Sequence, residues 1–421
     1  MQIMILFHRG IGGGIKINIC YFRVRKIRRM ILLKTISFPR MHKETNEKRD
    51  FLPSLIGILK KENVQVFLEE GYGLALGYTN EDYLKENKTI QFVSNKECYE
   101  KDIVVVLRSP EFKQIDYMRE GSILLSMLHY PTRATRVEKL KERGIFAVSM
   151  DSIRNDFLER IVVDYEGTSG NGINVAFTEL AKSYKSENIC AQKPIIVSIM
   201  GMGRVGLTAA RMAGKYGNNK ESEGILKEKS KGVLVNMLPR NITDDKKQMI
   251  KILTKTDILV DATTRNDATK YIVTNELIGY LKDHSIILDL TSDPYLTDIF
   301  PFQVKAVEGI PHGTLDKIVM YPNDIEYSAV PKCIEIINQR TVVSCNAWPG
   351  VKPKGNMDLY GKQLIYIIQN LIGYSASDFN LNNNDYFNRA IYRGTIEYFE
   401  ESLNGYENEV SEIVIDRKSV V

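Results

Sequence analysis

The chain has 421 residues, 43% apolar and 26% charged, with a formal net charge of +5. That length exceeds what one hydrophobic core usually serves and predicts two packed domains, while the lack of any apolar run near ~18 residues argues against a membrane span. Five scattered cysteines without CxxC spacing and five histidines without HExxH argue against a disulfide scaffold or a structural zinc site, so no metal is expected and a reducing cytoplasm is the expected home.

The positive charge is concentrated at the start. Residues 1–29 hold Arg9, Lys16, Arg23, Arg25, Lys26, Arg28 and Arg29 and no acid, so the rest of the chain is mildly acidic. Arg9 and the glycines from Gly10 to Gly14 interrupt the apolar stretches, so the segment lacks the core of a secretion signal. We expect translation to open at Met30 and the leader to be an upstream misreading; a targeting or phosphate-binding arm is the rival. A nucleic-acid partner would rest on this leader alone, so none is expected.

From Met30 an apolar run (Ile31 to Ile36) precedes a polar turn from His42 to Arg49 and a helix-like stretch with Leu52, Leu55, Ile56 and Ile58. Short buried strands are predicted at Val64 to Leu68, Ile103 to Leu107, Ser122 to Leu128 and Ile145 to Ser149, separated by helical or turn-rich segments. This is the grammar of a parallel α/β sheet. A second alternation starts at Pro194, with strands at Ile195 to Met200, Gly232 to Leu238, Asp257 to Val260, Ser285 to Leu290 and Thr341 to Ser344. Leu364, Ile367, Ile368, Leu371 and Ile372 then recur at helical spacing, which predicts a helix returning the chain to the first domain. The expected fold is therefore α/β with two Rossmann-like domains, residues 30–185 plus 351–421 and residues 186–350, and a cleft between them.

Ile195 to Ala210 reads as strand, glycine turn and helix start in the order a dinucleotide site requires. Gly201 supplies the backbone angles, Gly203 allows a pyrophosphate to approach the main chain, and Gly206 lets helix and strand pack closely, with Arg204 and Val205 in the same turn. Free N–H groups at the helix start favour phosphate. The next strand ends in Pro239-Arg240-Asn241, where an acid would select NAD by binding the ribose 2′-hydroxyl. With no acid there, Arg240 is placed to pair with a 2′-phosphate and Asn241 to bind a hydroxyl, so NAD and NADP are both open.

Several motifs together make the chain resemble the alanine dehydrogenase and transhydrogenase family, which includes the lysine-forming saccharopine dehydrogenases. They are Lys43-Glu44 followed by Arg49, Glu70-Gly71-Tyr72-Gly73, Arg108-Ser109-Pro110, Leu128-His129, the glycine turn, Leu288 to Asp293, and Asn346 to Gly350. The resemblance implies that Arg49 grips a substrate carboxylate, which a guanidinium does with two parallel N–H bonds. Without it, Arg49 reads as a surface arginine in a charged segment. The resemblance also implies that His129 is the acid/base or carbonyl polariser, a residue type that exchanges protons near neutral pH. Asp293 and Asn346 would then lie near the nicotinamide, although Ser292-Asp293-Pro294 is also good turn chemistry.

Arg108 departs from the family, which has lysine there; arginine holds and polarises but does not titrate, so more of the proton traffic falls on His129. The expected function is an NAD(P)-dependent oxidoreductase acting on an amino acid or 2-oxo acid, and the resemblance implies a homo-oligomer. Two alternatives are an opine-type reaction joining a keto acid to an amino acid and a non-catalytic NAD(H)-binding subunit of a transhydrogenase.

Overall fold

The computed structural model describes residues 33–186, 194–218, 232–265, 267–297 and 300–403, together with two strands near the start. Those two, β1 (Gln2–Arg9) and β2 (Ile15–Phe22), pair antiparallel with Gln2 opposite Phe22. The rest of the leader, and with it the expected start at Met30, lies outside the described residues.

Beyond the leader, the strands build two six-stranded sheets. The first contains β3 (Lys34–Phe38), β4 (Val64–Glu69), β5 (Gln91–Val93), β6 (Ile103–Arg108), β7 (Ile123–Met127) and β8 (Phe146–Ser149), in the spatial order β5-β4-β3-β6-β7-β8. The described registers in it are parallel. A parallel strand buried on both faces has no polar side to show, which is why Ile103-Val-Val-Val-Leu107 is apolar without alternation and buried throughout.

The second sheet contains β9 (Ile195–Met200), β10 (Val233–Leu238), β11 (Ile258–Asp261), β12 (Ile286–Asp289), β13 (Val319–Met320) and β14 (Thr341–Ser344), in the order β10-β9-β11-β12-β14-β13. Only the short β13 runs antiparallel, against β14. This is the doubly wound α/β architecture expected from the alternation of strands and helices. The connections reverse direction between β3 and β6 in the first sheet and between β9 and β11 in the second, where the chain also returns from the edge strand β13 to β14. Open sheets of this kind bind ligands outside the carboxyl ends of the strands at such a reversal.

Two long helices tie the sheets together. Helix Tyr165–Ser186 buries Ile173, Ala176, Phe177 and Leu180 in the core of the second sheet, where Gly172 lets its backbone approach Leu288 and Leu290. Helix Pro353–Gly373 carries the chain back and buries Met357, Leu364, Ile367, Ile368 and Leu371 against the first sheet. Among the described residues no helix is long and apolar enough to cross a membrane.

Ile367 is fully buried in that returning helix. Ile367→Ala should therefore destabilise the chain by about 2–5 kcal/mol through lost burial and the cavity left behind. Chemical denaturation would measure this, and a loss below ~1 kcal/mol would mean the helix is not part of the first core.

Candidate active site

A cleft of about 540 Å³ opens where the carboxyl ends of the two sheets face each other. Its walls come from the segments after β3, β6 and β7 on one side and after β12 and β14 on the other. Arg49, Arg108, His129, Val205, Asp293 and Asn346 all line it. Gly201, Gly203, Arg204, Gly206, Arg240 and Asn241 do not; they form the neighbouring nucleotide turn and the end of β10.

Arg49 is buried, its side chain 6% exposed, so it is not the solvated arginine its charged neighbourhood suggests. Its Nε and Nη2 donate to the two carboxylate oxygens of Glu47 at 2.8 and 2.5 Å, so the guanidinium is aimed by a bidentate pair. Arg108 Nη1 donates to Glu44 at 2.6 Å and reaches Glu47 at 3.5 Å. Burial alone would raise the Glu44 and Glu47 carboxyls, but the arginine hydrogen bonds outweigh it and hold both below the usual range.

Glu44 also accepts from Asn346 Nδ2 at 3.0 Å and from the Leu315 backbone at 2.9 Å, both on the opposite wall. Thr45 and Asn46 add backbone N–H bonds to the Asp316 carboxylate.

His129 follows β7 in the left-handed region, at φ 51° and ψ 52°. A non-glycine residue there is held against a local cost by its surroundings. Its Nδ1 lies 3.3 Å from Asp151, which also accepts from Ser149 Oγ at 2.6 Å and from the Leu128 and His129 backbone. With Nδ1 turned to Asp151, Nε2 is the nitrogen left for the cleft. Burial would raise the Asp151 carboxyl, but His129, Ser149 and Arg160 more than offset it and keep it ionised.

On the second wall the Leu288 to Asp293 motif divides its two acids. Asp289 is buried against Lys305 at 2.9 Å and Ser344, and Trp348 Nε1 donates to its backbone carbonyl, so this acid and the tryptophan serve packing. Asp293 reaches the cleft but is paired with Arg265 at 2.9 Å. Asn346 has a buried Oδ1 with no donor among the described residues. His312 opens onto the cleft; the surrounding protein, Lys305 and Arg133 lower its pKa to about 4, so it is uncharged at neutral pH.

The three glycines of the turn play three different steric parts. Gly201 has φ +97°, and a Cβ there would stand 2.3 Å from the Ala262 carbonyl oxygen. A Cβ on Gly206 would lie 2.0 Å from the Gly201 carbonyl oxygen, while one on Gly203 would meet nothing within 4 Å. The turn is therefore closed by two glycines and open at the third, and helix Arg204–Asn218 starts beside the opening. Arg204 pairs with Glu159 across the cleft mouth, and the Val205 carbonyl accepts from Ser169. Arg240 and Asn241 are exposed at the end of β10, next to β9.

Sequence reading did not find Glu44 and Glu47 as counter-charges, Asp151 as the partner of His129, or Arg133 and Arg136 in the cleft. Glu47 lies two residues from Arg49 and was legible as its neighbour. The others acquire meaning only from contacts distant in sequence.

Residues 40–161 match the family described as "Alanine dehydrogenase/PNT, N-terminal domain". The chain is 23% identical over 277 residues to the alanine dehydrogenase of Bacillus subtilis (strain 168), covering 61% of this chain and 70% of that protein. It is 26% identical over 168 residues to that of Bilophila wadsworthia, covering 38% of this chain and under half, 44%, of the relative. A solved L-alanine dehydrogenase superposes with TM-score 0.61 at 18% identity, over 86% of this chain and 94% of that one. The transhydrogenase from Sinorhizobium meliloti gives 0.52 at 15%, over 80% and 94%. At these identities the solved structures establish a shared fold.

Beside Arg49, burial raises the Asp50 carboxyl to about 6, against the lowering effect of the Gly73 N–H and Arg40. The native state thus binds a proton that the unfolded chain, with the ordinary aspartate value of 3.8, has lost, so this group's contribution to stability falls as pH rises from about 4 to 6. Asp50→Asn keeps an acceptor for Gly73 and removes the titration. Relative to the parent, the melting temperature of the variant should rise across that window; a constant difference from pH 4 to 7 would show that Asp50 is not perturbed.

Proposed function

The chain belongs to the alanine dehydrogenase and transhydrogenase family, and on that premise we propose that it is a nicotinamide-dependent oxidoreductase interconverting an amino acid and its 2-oxo acid in the interlobe cleft. The observation that carries this reading is that a histidine and two arginines after the first sheet face, across one cleft, the strand ends beside the glycine turn. A purely structural turn would not need an acid/base and a carboxylate clamp opposite it.

The residues present fit a dinucleotide. The open face at Gly203 leaves room for phosphates beside the start of helix Arg204–Asn218, and the donorless Oδ1 of Asn346 suits an amide N–H. Gly201, Gly203, Arg204, Val205 and Gly206 would hold the pyrophosphate side, Arg240 or Asn241 the adenosine ribose, and Asn346 and Asp293 the nicotinamide side. A bound nicotinamide would supply the acceptor or donor for the hydride at the substrate Cα.

The protein's own groups handle the rest of the reaction. Arg49 keeps Nη1 free once Glu47 has taken Nε and Nη2, and Arg108 offers a second cation, so the substrate carboxylate is fixed with Cα in the cleft. As the Cα–H bond gives up its electron pair, the amine nitrogen becomes an imine and its proton passes to His129 Nε2. The imidazolium returns that proton to nitrogen as water adds to the C=N bond, and the neutral ring then takes the proton of the added hydroxyl as the C–N bond breaks and ammonia leaves. Arg108 cannot exchange protons, so His129, steadied by Asp151, carries them.

With ammonia and either NADH or NADPH, at least one member of a 2-oxo acid panel should drive coenzyme oxidation. The absence of any absorbance change across the panel with both coenzymes sinks the proposal. His129→Gln should lower kcat by roughly 10²- to 10⁴-fold with coenzyme affinity unchanged.

Gly203→Ala should leave the melting temperature near that of the parent but weaken coenzyme binding. Gly206→Ala should lower the melting temperature itself, since its Cβ meets backbone. Equal effects of the two substitutions on folding would remove the steric basis for the cofactor site.

A further inference from the structure

Seven arginine or lysine side chains line the cleft against three carboxylates. The reaction proposed above uses two of them, Arg49 and Arg108, and these already have Glu47 and Glu44 as counter-charges. Arg133, Arg136 and Arg160 also line the cleft, yet none has an ion pair within 4 Å among the described residues. Arg133 donates one bond, to the Thr132 carbonyl, while Nε of Arg136 and Nε of Arg160 are buried without a partner.

Such an arrangement is costly without an anion to offset the charge. Arg133 and Arg136 are each partly withdrawn from water, and burial lowers the pKa of both; Arg136 suffers further from Arg133, whereas Asp293 across the cleft partly supports Arg133. Arg133 is the N-cap of helix Ala134–Glu142 and Arg136 lies in its first turn, three positions on. Like charges at that spacing repel, and a helix start already carries partial positive charge. Both penalties turn into attraction when an anion sits between the two guanidinium groups, each of which can grip a carboxylate with two parallel bonds.

We propose that the substrate is a 2-oxo acid, or its amino acid, that carries a second carboxylate, held by Arg133 and Arg136 in addition to the Arg49 and Arg108 clamp on the first. This rests on the cleft being the substrate site. The pair follows His129 by four and seven residues and lines the same cleft as Arg49, so a substrate held by Arg49 with Cα at His129 has the pair within the same cavity for a second carboxylate. A one-carboxylate substrate would leave both arginines without a counter-charge.

The test compares probes matched in length. In the full chain saturated with reduced coenzyme, 2-oxoglutarate is titrated against 2-oxopentanoate and oxaloacetate against 2-oxobutanoate, by calorimetry and by coenzyme oxidation with ammonia. The diacid should bind about tenfold or more tighter in each pair, as expected for a charged hydrogen bond gained. In Arg136→Gln and in the double variant Arg133→Gln/Arg136→Gln that preference should shrink towards one, while the affinity for the monoacid stays near the parent value. A ratio between probes within one variant is insensitive to partial loss of folded protein.

Equal affinities for the two probes of a pair, or a preference surviving the double variant, overturns the inference. So does a double variant that loses affinity for the coenzyme instead, because the arginines would then serve its phosphates. Turnover of monoacids alone leaves the dehydrogenase reading standing and removes only this one; no binding or turnover with any probe defeats both.

Discussion

Glu44 is hydrogen-bonded from both walls of the cleft at once: Arg108 from the first sheet, Asn346 and the Leu315 backbone from the second. One carboxylate therefore sets how a cationic side chain and a nucleotide-side amide lie relative to each other. Taking that carboxylate out of water is unfavourable unless every lone-pair direction is used, and here the partners suffice to hold it ionised. Separating the walls would strand Glu44 and Arg108 together, so the shape of the cleft and the charge state of its floor are one constraint.

Around that point the basic residues fall into two groups. Arg49 and Arg108 are aimed by acids of the same loop, a pre-organised pair that loses little freedom on taking up a carboxylate. Arg133, Arg136 and Arg160 line the cleft without an ion pair within 4 Å among the described residues, Asp293 and Asp151 acting on Arg133 and Arg160 only at longer range. His129 lines the same cleft, with one ring nitrogen engaged by Asp151 and the other left for the cavity. A neutral His312 on the far wall offers hydrogen bonding without adding to the positive potential.

The nucleotide turn follows a separate logic, local and steric. Closing the turn at Gly201 and Gly206 requires the absence of a Cβ at two places, and the open face at Gly203 leaves main-chain N–H groups accessible. None of this depends on the charged loop opposite, which is why the turn could bind a dinucleotide even in a chain with an altered clamp. On the proposed reading the arginine at position 108, which does not titrate, leaves proton transfer to His129 on the opposite wall from the turn.

What the sequence determined by itself is what lies close together along the chain. Long parallel strands such as β6 and β9 show as apolar runs because both their faces are buried, and the glycine turn shows because its three glycines act within six residues. The two shortest strands, β5 and β13, carry no such pattern, since two or three residues cannot display a period. The charged site is different. Glu44 meets Asn346 across 302 positions and His129 meets Asp151 across 22. Whether a charge is paired depends on distances of a few ångströms after folding, and only the tertiary structure decides those. Arg49, Arg108, His129, Asp293 and Asn346 were therefore legible in advance as candidates for the cleft, but Arg133 and Arg136 beside them, and which charges are neutralised by partners, were not.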